Sequence, residues 1–146
     1  MKQPTQIVAK VDYIARGAIV TVPQSIEPWH CMCLRGQLLW LLNERIEELV
    51  IDFSPTISCA PGIGEVIERV HTRTQAHGVR LSLVLGPDSA AARALHGTGL
   101  TRLLRVHSDR AEAEDHLYRA AGARAAARGS GPLPAPRDPG VVPQAS

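Results

Sequence analysis

Aromatic residues are almost missing from this 146-residue chain: one Phe, two Trp and two Tyr make up 3% of it. A core must therefore come from Ile, Leu, Val and Ala, and the repeated aromatic faces on which nucleic-acid bases stack are excluded. Lysine is nearly missing too, with only Lys2 and Lys10 against 14 arginines, a skew that resembles coding in a GC-rich bacterium. The formal charge is only +2, short of what a protein that neutralises many phosphates carries. Three cysteines, an odd number, do not make a disulfide framework and suit a reducing compartment. Long apolar runs are lacking as well. Neither a span of about 20 apolar residues nor, after Met1, the roughly 7–15-residue apolar stretch of a signal peptide is found. These absences leave a single cytoplasmic domain with no nucleic-acid or membrane partner.

Composition changes after Ala120. Five of the 11 prolines, at 132, 134, 136, 139 and 143, fall in the last stretch, through which neither a helix nor a central strand can run. Residues 1–121 are expected to form the folded domain and 122–146 a disordered tail rich in Pro, Ala, Gly and Arg. Arg124, Arg128 and Arg137 against Asp138 give that tail the whole of the net charge. It is read as a solvated extension, with a polyproline-type ligand around Pro132–Pro136 as the alternative.

What is present in the body is an alternation of short apolar runs and amphipathic stretches. Ile7–Ile14 and Ala18–Val22, joined by Ala15-Arg16-Gly17, predict a hairpin. Pro28 suits a first helical turn, and Trp29, Met32, Cys33, Gly36, Leu39 and Trp40 recur at three- and four-residue spacing, predicting a helix that buries this stripe. Leu49–Phe53 is a compact apolar run expected as a central strand covered on both sides. Gly62–Ala76 predicts a second helix with Ile63, Val66, Ile67, Val70 and Thr74 inward, stopped at Gly78 by a left-handed cap. Arg80–Leu85 is a further strand, Asp88 or Ser89 caps a short helix over Ala90–His96, Leu103–His107 is the last strand, and Ser108-Asp109 caps a helix from Arg110 to about Ala121. Strands alternating with helices predict a sheet with parallel central strands.

Groupings that could carry chemistry are few. His30-Cys31-Met32-Cys33 has metal-ligand residue types, but i and i+2 on a helix point about 200° apart, so Cys31 and Cys33 cannot share an ion there. The other histidines are scattered singly. Cys59 is the one nucleophile candidate, and nothing in its sequence neighbourhood activates it. Gly62-x-Gly64 follows a strand and opens a helix, the place of a dinucleotide loop, yet position 67 is Ile and the third glycine is missing. No Gly-Lys-Ser/Thr exists for a phosphate-binding loop. No catalytic residue and no cofactor is expected, and the chain is read as a non-enzyme.

Leu49-Val50-Ile51-Asp52-Phe53-Ser54, a short loop, and then Gly62-Ile63-Gly64 with an amphipathic helix resemble the hallmark of STAS domains, the anti-sigma factor antagonists of bacteria. Arg80–Val84, Ala92–Leu100 with its Thr98-Gly99-Leu100, and Val106-His107-Ser108 are similar to that family's fourth strand, helix end and final strand. The resemblance covers about residues 7–120. It implies a mixed sheet of four to five strands with about four helices packed mainly on one side, and a non-enzymatic interaction module that acts on transcription. In such antagonists a serine just before the conserved glycine is phosphorylated by a partner anti-sigma factor that is itself a serine kinase. The added charge of about −1.5 to −2 then disfavours docking.

This chain departs from the pattern at that loop. Cys59-Ala60-Pro61 stands where Asp-Ser-Ser or Asp-Ser-Ala is usual, and Pro61 can neither be phosphorylated nor donate an amide to an anion. The expected role is a cytoplasmic anti-sigma factor antagonist-like signalling module, monomer or weak homodimer, that binds a serine-kinase-type anti-sigma factor without the usual phosphoswitch. Its partner surface is expected at Ser54, Ser58, Cys59, Ala60, Pro61, Gly62, Gly64 and Glu65, with Ser58 as the candidate phosphosite. The alternatives are a small-ligand or nucleotide-binding STAS domain, or a degenerate STAS subunit of a larger signalling assembly.

Overall fold

The structure, a computed structural model, describes residues 8–129. Its elements follow in the order β1 (Lys10–Ile14), β2 (Gly17–Thr21), β3 (Ser25–Ile26), α1 (Pro28–Leu41), β4 (Glu48–Asp52), β5 (Ser58–Cys59), α2 (Ile63–His77), β6 (Arg80–Val84), α3 (Ala90–Leu95), α4 (Leu100–Leu103), β7 (Arg105–His107) and α5 (Arg110–Gly129). The main sheet has the order β1-β2-β4-β6-β7, and a separate two-stranded sheet pairs β3 with β5. Only β1 and β2 run antiparallel, as the hairpin expected from the sequence; β4, β6 and β7 continue in parallel. Ala15 takes the tight turn at φ +55°, a conformation that costs an L-residue about 1–2 kcal/mol.

The central position of β4 explains its composition. All five of its residues are buried, because α1–α4 cover one face and α5 the other. Leu49 and Ile51 join Ala18, Val20, Leu81 and Leu83 in the larger core with helices α1–α4. Val50 points the other way, joining Ile19 and Val84 beneath Ala113 and Leu117 of α5. Two-residue alternation along each strand thus feeds two cores of unequal size. The mixed sheet with four helices on one side is the architecture the sequence predicts.

Four features differ from expectation. Leu100–Leu103 forms the short helix α4, entered through Gly99 at φ +79°, so the last strand begins at Arg105 and not at Leu103. Helix α1 buries Cys31, Leu34, Gln37, Leu38 and Leu41, not the stripe of Trp29, Met32, Cys33, Gly36, Leu39 and Trp40. Its sequence is apolar on nearly every side, so spacing alone offers two faces. The sheet takes the one with three leucines and a glutamine, and Trp29 and Met32 remain 53% and 70% exposed. Gln37 repays its burial with hydrogen bonds: its Oε1 accepts from the amides of Val8 and Ala9 at 3.0 and 2.9 Å, and its Nε2 donates to the Ala9 carbonyl at 2.6 Å. The segment after β4, expected as loop, holds the two-residue β5, because the stretch between Pro23 and Pro28 runs extended beside it. Last, α5 continues to Gly129, past the boundary expected at 121, because Ala-rich sequence favours helix and Arg124 reaches Glu47 in an ion pair. The remainder of the expected tail, 130–146, lies outside the described residues.

Helix α5 is held by polar contacts as much as by its small apolar core. Asp109 Oδ1 accepts from the Glu112 amide and Glu112 Oε1 from the Ser108 amide, a reciprocal cap. Arg110 reaches Thr21, Asp12 and Glu114 at 2.9, 3.1 and 2.8 Å. His116 Nε2 lies 2.7 Å from the buried Glu48 carboxylate, and the rings of His107 and His116 are 5.2 Å apart. Burial holds the His107 imidazole below its ordinary value of 6.5, and His116 and Arg105 add to this, against the opposite pull of Glu112 and Glu48. The folded state therefore binds this proton less readily than the unfolded chain does. Stability is full above about pH 6.5 and falls as the pH drops below it. The urea midpoint is expected to decline between about pH 6.5 and 5, and a His107→Gln variant is expected to flatten that decline. An unchanged slope in the variant would contradict the assignment.

Candidate functional site

The end of β4 and the start of α2 bring the expected surface together. Asp52, 1% exposed, accepts the Ser54 amide at its Oδ1 over 2.8 Å, which turns the chain out of the sheet. Thr56, also buried, donates its hydroxyl to the Pro23 carbonyl at 2.9 Å. The amides of Ile57 and Ser58 both bond the Gln24 carbonyl, and the Ala60 amide bonds that of Ile26. The loop is thereby stitched along β3, with Ile26 opposite Cys59. Since β3 leads directly into α1 and β5 into α2, this small sheet sets the two helix starts beside each other.

Ser54, Ser58, Pro61, Gly62 and Glu65 are exposed and Cys59 and Ala60 half-buried, so seven of the eight expected residues have surface to offer. Gly64 does not. It is buried in α2, and a Cβ there would sit 3.1 Å from Thr98 Cγ2; this glycine permits the close approach of α2 to the α3–α4 turn. Gly62, at φ −61°, caps α2 with no side-chain hydrogen bond. Pro61 immediately before it withholds one of the amides with which a helix start holds an anion.

Sequence reasoning missed the exposed apolar residues of this end of the molecule, two of which, Ile57 and Met32, flank the loop. Ile57 is 76% exposed, and Met32 and Trp29 project from the first turns of α1. Met32 and Arg35 line a narrow groove of 120 Å³ with Gly62, Glu65 and Arg69. On the other side, Ile57, Ser58 and Pro61 border a shallow depression with Arg93 and Ala94 of α3. The signal was present in α1: its second apolar stripe had to face outward once the first was buried.

The His-Cys-Met-Cys segment is dispersed. His30 Nδ1 accepts the Glu27 amide at 2.8 Å and its ring lies 3.8 Å from that of Trp29, so it finishes the helix cap. Cys31 enters the core while Met32 faces out. Burial, with a smaller contribution from Cys31, pushes the Cys59 thiol up to about 11, which disfavours the thiolate, the reactive form. Among the described residues no group of metal-ligating side chains is gathered, and no helix is long and apolar enough to cross a membrane.

A five-stranded mixed sheet, four helices on one face, a C-terminal helix on the other and an exposed loop leading into α2 define the STAS fold. Solved structures with this arrangement are STAS domain proteins. A variant of RsbS from Moorella thermoacetica superposes with a TM-score of 0.66 at 17% identity, over 78% of this chain and 97% of its own. An anti-sigma factor antagonist from Mycobacterium paratuberculosis gives 0.62 at 19%, over 84% and 99%. The Bacillus cell fate determinant SpoIIAA in its phosphorylated form gives 0.59 at 12%, over 75% and 98%. At these identities the likeness is one of fold. No family model and no curated protein matches the sequence.

The Cys59 thiol is expected to resist iodoacetamide near pH 7.5 and to gain reactivity only as the pH rises toward 11, followed by mass spectrometry of the peptide that contains it. Rapid alkylation at pH 7.5 would contradict the buried setting.

Proposed function

We propose that this chain is a non-enzymatic regulatory module that binds a serine-kinase-type anti-sigma factor, in the manner of an anti-sigma factor antagonist, without the usual phosphoswitch. The observation that carries the reading is the loop itself. Exposed apolar side chains, Ile57 and Met32, flank the loop on its two sides, Ile57 beside Cys59 and Pro61 and Met32 beside Gly62 at the start of α2, and the position before Gly62 holds a proline with no hydroxyl to accept a phosphoryl group. Scattered exposed hydrophobics need no explanation, but two flanking one backbone-bonded loop are the composition of an interface core. Ser54, Ser58, Pro61, Gly62 and Glu65 supply the polar and backbone contacts around them. Docking to such a surface does not depend on a charge change in the loop, so the partner is held constitutively.

Ser58 is the one hydroxyl of β5 and is exposed, but its amide is bonded to Gln24 and it precedes Pro61 by three residues, away from the helix start. The nucleotide-binding alternative is disfavoured by the same proline and by the Ile63 and Gly64 amides, which are already bonded to the Ala60 and Pro61 carbonyls.

Met32→Asp and Ile57→Asp are each expected to weaken binding to the kinase-type anti-sigma factor about tenfold or more, the scale of an interface anchor. Their melting temperatures should stay close to that of the parent, since both side chains are exposed. Calorimetric titration and thermal melting read the two effects separately. Unchanged affinity in both variants would contradict the surface. Incubation with the kinase and ATP followed by intact-mass measurement is expected to show no added phosphate, and phosphorylation of Ser58 or Ser54 would overturn the constitutive reading.

A further inference from the structure

Among the described residues the main sheet ends on one side at β1 and on the other at β7. β1 carries Lys10 and Asp12, charges of both signs, and Asp12 is already held by Arg110. β7 is short, and its outer side is open. The Leu85 amide bonds the His107 carbonyl, so His107 and, two residues earlier, Arg105 turn their peptide groups toward β6. Alternation along the strand then turns the amide and the carbonyl of Val106 outward. Among the described residues neither has a hydrogen-bond partner. A free donor and a free acceptor at a sheet edge are a template for one more strand.

The side chains around the edge define what such a strand carries. Arg105 and His107 pair with Ser82 and Val84 on the face that α5 covers, whereas Val106 pairs with Leu83 on the face of the larger core and is 38% exposed. The apolar seam of α5 rests on Ile19, Val50 and Val84, from β2, β4 and β6, which leaves β7 flanking the helix. Between the two lies a trough of 540 Å³, lined by Arg105, His107, Glu112, His116 and Arg119. Its carboxylate is engaged, since Glu112 Oε1 accepts the Ser108 amide at 2.9 Å and stands 3.5 Å from His107 Nδ1. Its guanidinium groups are not. Among the described residues Arg105 makes no ion pair, and Arg119 reaches only Asp115, at 3.8 Å, with both side chains exposed. Exposed pairs of that kind contribute little, so both arginines can turn to an incoming anion. The charge offered at the open edge is positive.

We propose that the β7 edge takes up an extended acidic segment of a partner protein as an added strand, its carboxylates alternating with apolar side chains. One face of the segment sets carboxylates against Arg105 and Arg119 in the trough, where a guanidinium group takes a carboxylate by paired donors. The other face lays its apolar residues beside Val106, whose amide and carbonyl supply the main-chain bonds. Two such bonds are few, so the charges carry most of the affinity and the complex is salt-sensitive. None of these residues belongs to the surface around the loop into α2.

The probe is the synthetic peptide acetyl-Glu-Val-Glu-Val-Glu-Val-Glu-amide, whose side chains read the same in both directions and so serve either strand polarity. It is titrated against the full chain to about 5 mM, enough for a millimolar site, at about 50 mM salt, where surface charges are weakly screened. The readouts are the amide resonances and the hydrogen exchange of residues 105–107. Saturable shifts are expected in β7, with exchange of the Val106 amide slowed about tenfold or more at saturation and affinity falling about tenfold at roughly 0.5 M salt. Arg105→Glu, an exposed change, is expected to weaken binding about tenfold or more; Arg119→Glu gives the same test if that variant folds poorly. A peptide with lysine at each glutamate position should not bind. Absence of a saturable shift overturns the proposal. So does binding that the arginine variants leave unchanged, that the lysine peptide reproduces, or that leaves the Val106 amide exchanging as in the free protein.

Discussion

Two carboxylates buried on one face of the central strand constrain the rest of the molecule. Glu48 and Asp52 stand at opposite ends of β4, 2% and 1% exposed, on the face away from helices α1–α4. An isolated charge in such a place is prohibitive, so each needs a donor close by. Asp52 takes the Ser54 amide and lies 3.8 Å from Arg110; Glu48 takes His116. Both of these side chains, Arg110 and His116, come from α5. Four residues of strand span about 13 Å and the six from Arg110 to His116 about 9 Å of helix, a difference that the long arginine side chain covers. The last helix is thus fixed in direction and register by the central strand, and the buried apolar seam between them is small: Ala113 and Leu117 of the helix on Ile19, Val50 and Val84 of the sheet.

The same strand organises the opposite side. Where β4 ends, Asp52 turns the chain through Ser54 into a loop whose amides are bonded to the backbone of 24–26. That pairing joins the starts of α1 and α2, and it makes Cys59-Ala60-Pro61 part of a stitched surface rather than a free loop. Gly64 lets α2 lie close on the turn at Thr98, which keeps the start of α2 in place. The loop into α2 and the polar residues beneath α5 therefore occupy opposite faces of one sheet. β4 reaches both, through Asp52 and the loop at one end and Glu48 at the other.

Much of this architecture is legible in the residues because burial imposes periodicity. The β4 run, the inward face of α2, Gly78 at its end, Ser89 as a cap and the Ser108-Asp109 start of α5 each follow from a local rule that nothing in the tertiary structure opposes. The loop around Pro61 is legible for the same reason: a proline at a helix start has one meaning for phosphorylation whatever surrounds it. The face of α1 is not legible, since a helix apolar on both sides satisfies the same spacing twice. Nor is β5 or the extension of α5, because a two-residue pairing and a helix held by Arg124 on Glu47 depend on partners far away in the chain.

By itself, the sequence determined the order of the longer strands and helices, the absence of a hydroxyl before Gly62 and a core poor in aromatic bulk, with Phe53 its one buried Phe, Trp or Tyr among the described residues, since these depend on residue type and near neighbours. Tertiary structure alone decided which stripe of α1 turns outward as Trp29 and Met32. It also decided that the Cys59 thiol is pushed up by burial, and that Glu48 and His107, from two separate strands, both meet His116 of α5. The physical reason is the same in each case: burial and hydrogen-bond satisfaction belong to the assembled sheet, and no local window of residues contains them.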